Sequence, residues 1–157
     1  MFGKLNAQEI DALLHQQIVG RIGCQAENKI YVVPISYVYD GTCIYGHALE
    51  GMKIFAMRKN PHICFEVDNL KNLANWQSVI CWGEYEELSN DDDRHDALKK
   101  LEARVLPILS SETMHLSPQW PFPAASAETV KGVFFRIRIT EKTGRFEKSP
   151  QDKIFSM

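Results

Sequence analysis

Apolar positions change period several times along the chain, and each change marks a new element. Ile10, Leu13, Leu14 and Ile18 recur at the spacing of one helical face, and Asn6 followed by Glu9 forms a capping-box start. A helix is therefore predicted over residues 7–17, ending near Gly20. From Ile18 the period drops to two. Ile18, Gly20, Ile22, Cys24 and Ala26 alternate with Arg21, Gly23 and Gln25, as in a half-buried strand. Glu27-Asn28-Lys29 supplies a turn, and residues 30–39, rich in Val, Ile and Tyr, read as a second strand. Asp40-Gly41 tolerates the positive φ angles of a tight hairpin turn, so residues 42–47 return as a third strand in meander order.

Leu49, Met52, Phe55 and Ala56 then mark an apolar helical face opposed by Glu50, Lys53, Arg58 and Lys59. This helix must stop at Asn60-Pro61, because a residue before proline is pushed out of the helical region. Residues 62–68 form a fourth strand burying Ile63, Phe65 and Val67. Residues 78–88 form a fifth, with Val79, Cys81, Gly83 and Tyr85 on one side and Ile80, Trp82, Glu84 and Glu86 on the other. Asp91, Asp92 and Asp93 place carboxylates at the positive end of a third helix, predicted over residues 91–109 with Leu98, Leu101, Val105 and Leu109 inward. Pro107, Pro118, Pro121 and Pro123, with Trp120 and Phe122, make a stretch too apolar for a free linker. It is expected to pack on its own surface or a partner's. Residues 130–141 alternate as a sixth strand. Six strands, hairpin-linked early and interrupted by helices, predict a mainly β fold with covering helices. A six-stranded antiparallel barrel fits this order better than an immunoglobulin-type sandwich.

With 157 residues, 45% hydrophobic and 24% charged, the chain reads as a single globular domain over residues 1–157, not a disordered or disulfide-stapled one. A formal charge of −2 and the lack of a basic patch argue against a nucleic-acid partner. The N-terminus turns polar at once, and the longest apolar run, residues 30–39, is far short of the ~20 residues of a membrane span. No membrane association and a cytoplasmic location are expected. Cys24, Cys43, Cys64 and Cys81 form no C-x-x-C pair and read as reduced, buried thiols, with no metal site predicted.

Candidate chemistry concentrates where the third strand enters the second helix, Tyr45-Gly46-His47-Ala48-Leu49-Glu50-Gly51-Met52-Lys53. A helix N-terminus offers unpaired N–H groups and partial positive charge to an anion, Gly46 and Gly51 keep side chains clear, and Lys53 can add a full charge. The plainer reading is a turn glycine and a solvated lysine. His47 at the strand end either caps a neighbouring carbonyl or faces a ligand. No Ser-His-Asp order or paired-carboxylate pattern stands out.

The run Tyr31-Val32-Val33-Pro34-Ile35-Ser36-Tyr37-Val38-Tyr39-Asp40-Gly41, the junction Ile44 to Lys53, the stretch Arg58-Lys59-Asn60-Pro61-His62-Ile63-Cys64-Phe65-Glu66-Val67 and the later Ser78-Val79-Ile80-Cys81-Trp82-Gly83-Glu84-Tyr85-Glu86-Glu87 share one order and spacing. Together they resemble the pyridoxamine 5′-phosphate oxidase-like flavoproteins, and within them the branch of the nitroimidazole-resistance (Nim) proteins. The resemblance implies an FMN-binding split barrel, usually a homodimer with the flavin at the subunit interface. It places Val33, Pro34, Ile35 and Ser36 along the isoalloxazine ring, Gly46 and His47 at the strand end, Lys53 at the phosphate, and Ser78 at the ring's edge. Met52 stands where the family often has a second basic residue, and Arg21 or Arg136 could compensate. A flavin needs an apolar wall, backbone donors and acceptors, and an anchored phosphate, and this chain has residues for each. The function implied is an FMN-dependent oxidoreductase acting on a small oxidised substrate such as a nitroaromatic. His47 would be its catalytic side chain, as phosphate contact or proton donor. Pyridoxamine 5′-phosphate oxidation itself is disfavoured, because the sequence after Arg145 lacks the Trp and Arg–Leu segment that binds that substrate. The alternative is a non-enzymatic flavin- or haem-binding module, with His15, His47, His62, His95 or His115 as iron ligand.

Overall fold

The computed structural model describes residues 1–105 and 130–150. The proline-rich stretch, Leu109 and His115 lie outside the described residues. Among the described residues, eight strands and three helices follow in the order β1 (Phe2–Lys4), α1 (Ala7–Gln16), β2 (Val19–Ala26), β3 (Lys29–Ser36), β4 (Val38–Tyr39), β5 (Cys43–Ala48), α2 (Met52–Lys59), β6 (His62–Asn72), β7 (Asn75–Leu88), α3 (Asp91–Val105) and β8 (Val133–Glu147). The six expected strands are all present. Two short ones are added, and the capping box at Asn6 and Glu9 is formed.

All strands belong to one antiparallel sheet, ordered β3-β2-β6-β7-β8-β5-β4, with β1 alongside β8. The single strand expected over residues 30–39 is broken at Tyr37. Its first part pairs with β2 and its second with β5, so β3 and β5 are not neighbours, and the simple three-strand meander is corrected. The break has a physical cause. Tyr37 is fully buried, its hydroxyl donates to the Leu14 carbonyl at 2.6 Å, and its N–H donates to the Ile18 carbonyl at 3.2 Å. Because β3 and β4 stand at opposite ends of the sheet order yet are joined through one residue, the sheet curls into a barrel. β6 and β7 form one long hairpin through Asp68↔Ser78 to Asn72↔Asn75, its turn held by the Asn72 carboxamide. The stretch from Asn69 to Gln77 mixes Leu70, Leu73, Ala74 and Trp76 with polar residues, and no sustained alternation betrays it.

Inside the barrel, Ile22, Phe65, Val67, Val79, Cys81, Phe135 and Ile137 pack with Ile10, Leu13 and Leu14 of α1 and Ile54, Ala56 and Met57 of α2. Leu49, Met52 and Phe55, expected on the buried face of α2, are instead 51%, 52% and 46% exposed. Nearly every position from Met52 to Met57 is apolar, so periodicity alone fits two stripes, and packing against β2 selects the other one. α3 covers the outer face of β5 and β8 with Ala97, Leu98 and Leu101 on Tyr45 and Phe134. Among the described residues nothing covers the outer face of β3, β2, β6 and β7, where Val19, Val32, Ile80 and Trp82 are exposed.

Among the described residues, Cys24, Cys43 and Cys81 are buried free thiols, Cys81 pushed up to about 12 by burial, while Cys64 is half-buried on the bare face. No described helix is long and apolar enough to cross a membrane, and no described cluster of His, Cys, Asp or Glu could hold a metal.

Candidate flavin site

The chain leaves β5 after Ala48 and enters α2 at Gly51, whose extended backbone supplies no side-chain cap and whose first turn carries no acid. The first amides of α2 are thus left for another acceptor. Arg58 anchors the helix by donating to Glu50 at 2.8 and 2.9 Å and to Glu87 on β7 at 3.1 Å. Lys53, half-buried in the first turn, has no carboxylate partner among the described residues, unlike Arg58 and Lys59 beside it. α2 packs on β2, and the Lys53 charge acts on both the Cys24 thiol and the His47 imidazole.

Gly46 is buried because its neighbour leaves no room: a Cβ there would stand 2.6 Å from the Phe135 ring. His47 points the other way, tilted on Phe134 at 4.7 Å, and its Nε2 donates to the Lys131 carbonyl at 2.7 Å. Burial holds its pKa below the ordinary value, aided by the charges of Arg94 and Lys53 and opposed by the Lys131 carbonyl. The carbonyl-capping alternative for this histidine is therefore realised. Arg94, Lys131 and Gly132 around it were not singled out from the sequence. Arg94 directly follows the acidic run Asp91-Asp92-Asp93, which masks it, although Lys131-Gly132 is a legible turn signal.

Of residues 33–36, Val33 and Ile35 turn into the barrel, while Pro34 and Ser36 are on the bare outer face. Among the described residues β3 pairs with β2 alone, leaving its other edge unpaired there, and Pro34, opposite Arg21, has no N–H to donate. Cys24 lies opposite Tyr31, and Val33 is two residues, about 7 Å, further along the strand. Lys53 and the predicted ring-binding strand are therefore brought to one side of the molecule. Met52 is exposed at the helix start.

Ser78 is set apart. It shares a cross-strand row with Asp68, Val19 and Ser36, three strand spacings or about 14 Å from Ser36, and its hydroxyl donates to Glu66 at 3.2 Å. Arg21 reaches Glu66 at 3.4 Å and Asp68 at 3.2 Å, and burial together with Asp68 holds the Glu66 carboxyl above its usual range. Arg136 is bound to Glu86 at 2.6 Å. Both arginines considered as substitutes for a basic residue at position 52 are thus engaged with carboxylates elsewhere.

The curled antiparallel sheet with its few helices places the chain among the split-barrel proteins. Residues 6–146 match the profile described as pyridoxamine 5′-phosphate oxidase, and the chain belongs to that family. It is similar to the crystal structure of a FAD-binding protein from Mesorhizobium loti, 29% identical, with a TM-score of 0.74 over 94% of this chain and 99% of that one. An uncharacterized protein of Rhizobium meliloti is 25% identical over 148 residues, 90% of this chain and 92% of its relative. A candidate 5-nitroimidazole antibiotic resistance protein from Bacteroides thetaiotaomicron shares the fold, with a TM-score of 0.70 at 19% identity, over 93% of this chain and 87% of that one.

Proposed function

We propose that this chain is an FMN-binding oxidoreductase that reduces a small oxidised substrate of the nitroaromatic class, with the flavin between two copies of the chain. The observation that carries the reading is Lys53, a half-buried cation without a carboxylate partner among the described residues, in the uncapped first turn of α2. A phosphate supplies both the missing counter-charge and the missing acceptor.

The residues fit the rest of such a ligand. The open edge of β3 offers backbone N–H and C=O groups to the ring's polar margin, and Pro34, with no N–H, leaves one position of the strand without a donor. The bare face with Val19, Val32, Ile80 and Trp82 is the kind of surface that a second subunit covers. When bound, FMN supplies the electron transfer, and this chain supplies binding, orientation and exclusion of water. Lys53 holds the phosphate. Val33 and Ile35 stiffen the ring-binding strand by anchoring it in the core. His47 stands beside the junction, its Nε2 on the Lys131 carbonyl. The nitroaromatic class comes from the sequence resemblance, and the FAD-binding relative makes FMN against FAD the first question.

The test is the absorption spectrum of the freshly purified protein, followed by mass identification of any flavin released on denaturation. A yellow protein that releases FMN, is bleached by NADH or NADPH and is reoxidised by a nitroimidazole meets every part of the proposal. Bleaching without reoxidation by any acceptor would make it a storage or delivery module. A colourless protein that takes up no FMN overturns the reading. Sedimentation of wild type and Trp82→Glu checks the dimer, which the charge should weaken.

A further inference from the structure

The outer face of the sheet keeps its opposite charges apart. On β6, Glu66 and Asp68 share a single cation. Arg21 donates to Glu66 at 3.4 Å and to Asp68 at 3.2 Å, and no other ion pair reaches either carboxylate among the described residues. Burial and the Asp68 charge hold the Glu66 carboxyl above its usual range, as expected where one guanidinium serves two acids. On β8, Arg145 is exposed, and its side chain makes no ion pair or hydrogen bond among the described residues.

Register puts these groups in one row. Asp68 pairs with Ser78 on β7, and Ser78 pairs with Arg145 on β8. Asp68 and Arg145 therefore stand one strand to either side of Ser78, two strand spacings or about 10 Å apart. Ile80 and Trp82 follow Ser78 on the same face of β7, and both are exposed. A surplus carboxylate and an unpaired guanidinium thus flank an apolar strand symmetrically, and such a face is complementary to itself. A two-fold axis running along β7 turns β8 of one molecule over β6 of the other. Each Arg145 then faces the other copy's Asp68, while Ile80 and Trp82 meet their own counterparts. Facing sheets pack about 10 Å apart, a gap that an arginine and an aspartate close from opposite sides.

We propose that a second copy of this chain seats on the outer face about β7, held by two reciprocal Arg145–Asp68 ion pairs around Ile80 and Trp82. The proposal rests on the two-copy part of the reading above and names the surface and the charges that it uses. Because the contact is isologous, it closes at two copies and leaves no matching patch open for a third.

Sedimentation of the full chain at neutral pH tests it. Arg145→Asp and Asp68→Arg should each raise the dimer dissociation constant by about tenfold or more, since symmetry counts every like-charge clash twice. The double variant Arg145→Asp/Asp68→Arg exchanges the signs and should return to within about threefold of wild type. Added salt should weaken the wild-type dimer more steeply than Arg145→Gln, because that variant lacks the screened pair. Arg145 is exposed, so its variants should keep wild-type circular dichroism, and dimer loss in a folded Arg145→Asp is loss of a contact. Asp68→Arg stands against Arg21. If it does not fold, a double-mutant cycle of Asp68→Asn with Arg145→Gln takes its place, and additive losses there refute the pair. Single variants that leave the dissociation constant unchanged, or a charge exchange that does not recover it, overturn the proposal while the two-copy reading stands. A wild type that stays monomeric overturns both, and the flavin spectrum still decides the cofactor independently.

Discussion

Replacing Lys53 by alanine removes one unit of charge from a half-buried position while leaving the amides of α2 in place. Two unit charges at hydrogen-bond distance interact by about 4 kcal/mol at the effective dielectric near a protein surface. Stripping water from the ammonium offsets much of this, leaving about 1–3 kcal/mol, the range of charge-assisted hydrogen bonds. At about 1.4 kcal/mol per tenfold, the FMN dissociation constant should rise by about 5- to 150-fold. Binding should weaken without vanishing, because the helix terminus still contributes about 0.3–1 kcal/mol. Titration of FMN fluorescence against apoprotein at low and high ionic strength reads both the loss and its origin. Wild type should lose affinity with added salt more steeply than the variant, since the missing interaction is the screened one. An unchanged dissociation constant, or equal salt slopes, would mean that the phosphate is held elsewhere and that α2 does not face the ligand.

Other perturbations probe the frame around the site. Gly132→Ala meets both a left-handed backbone and the Ala48 carbonyl at 2.8 Å, so the variant should lose at least about 1–2 kcal/mol in urea unfolding; wild-type stability would refute the fitted turn. Tyr37→Phe deletes the donor to the Leu14 carbonyl at the strand break and should cost about 0.5–1.5 kcal/mol, with the barrel's circular dichroism retained. Glu66 holds its proton more tightly folded than unfolded, so its contribution to stability should decline as pH rises above the ordinary value of 4.5. Melting temperatures measured across that range should fall less with pH in Glu66→Gln than in wild type, and parallel curves would refute the raised Glu66 pKa.

The sequence makes much of the fold legible where burial follows a clean period. Ile63, Phe65 and Val67 alternate with polar partners, and their strand lies where periodicity puts it. The break at Tyr37 is invisible for the opposite reason. Apart from Pro34, which does not mark the break, the residues from Ile30 to Tyr39 suit a strand, and the tertiary bonds of Tyr37 to Leu14 and Ile18 decide that the chain changes partners there. α2 fails similarly, since a helix apolar nearly all round does not announce its buried side. At the site, Lys53 and Gly51 could be read from the chemistry of a helix start. Arg94 could not, because its partners are backbone carbonyls some 36–38 residues away, and a carbonyl leaves no mark in a sequence.

The open margin of β3 carries a liability as well as an opportunity. Ile30, Val32, Val33 and Ile35 crowd a strand that pairs on one side only, the composition that templates uncontrolled strand addition between molecules. Pro34 sits in the middle of that margin and interrupts any incoming ladder at its centre. The residue that suits the edge to a small ligand thereby also guards it against strangers, and a chain with valine there would be expected to clump when stripped of its cofactor.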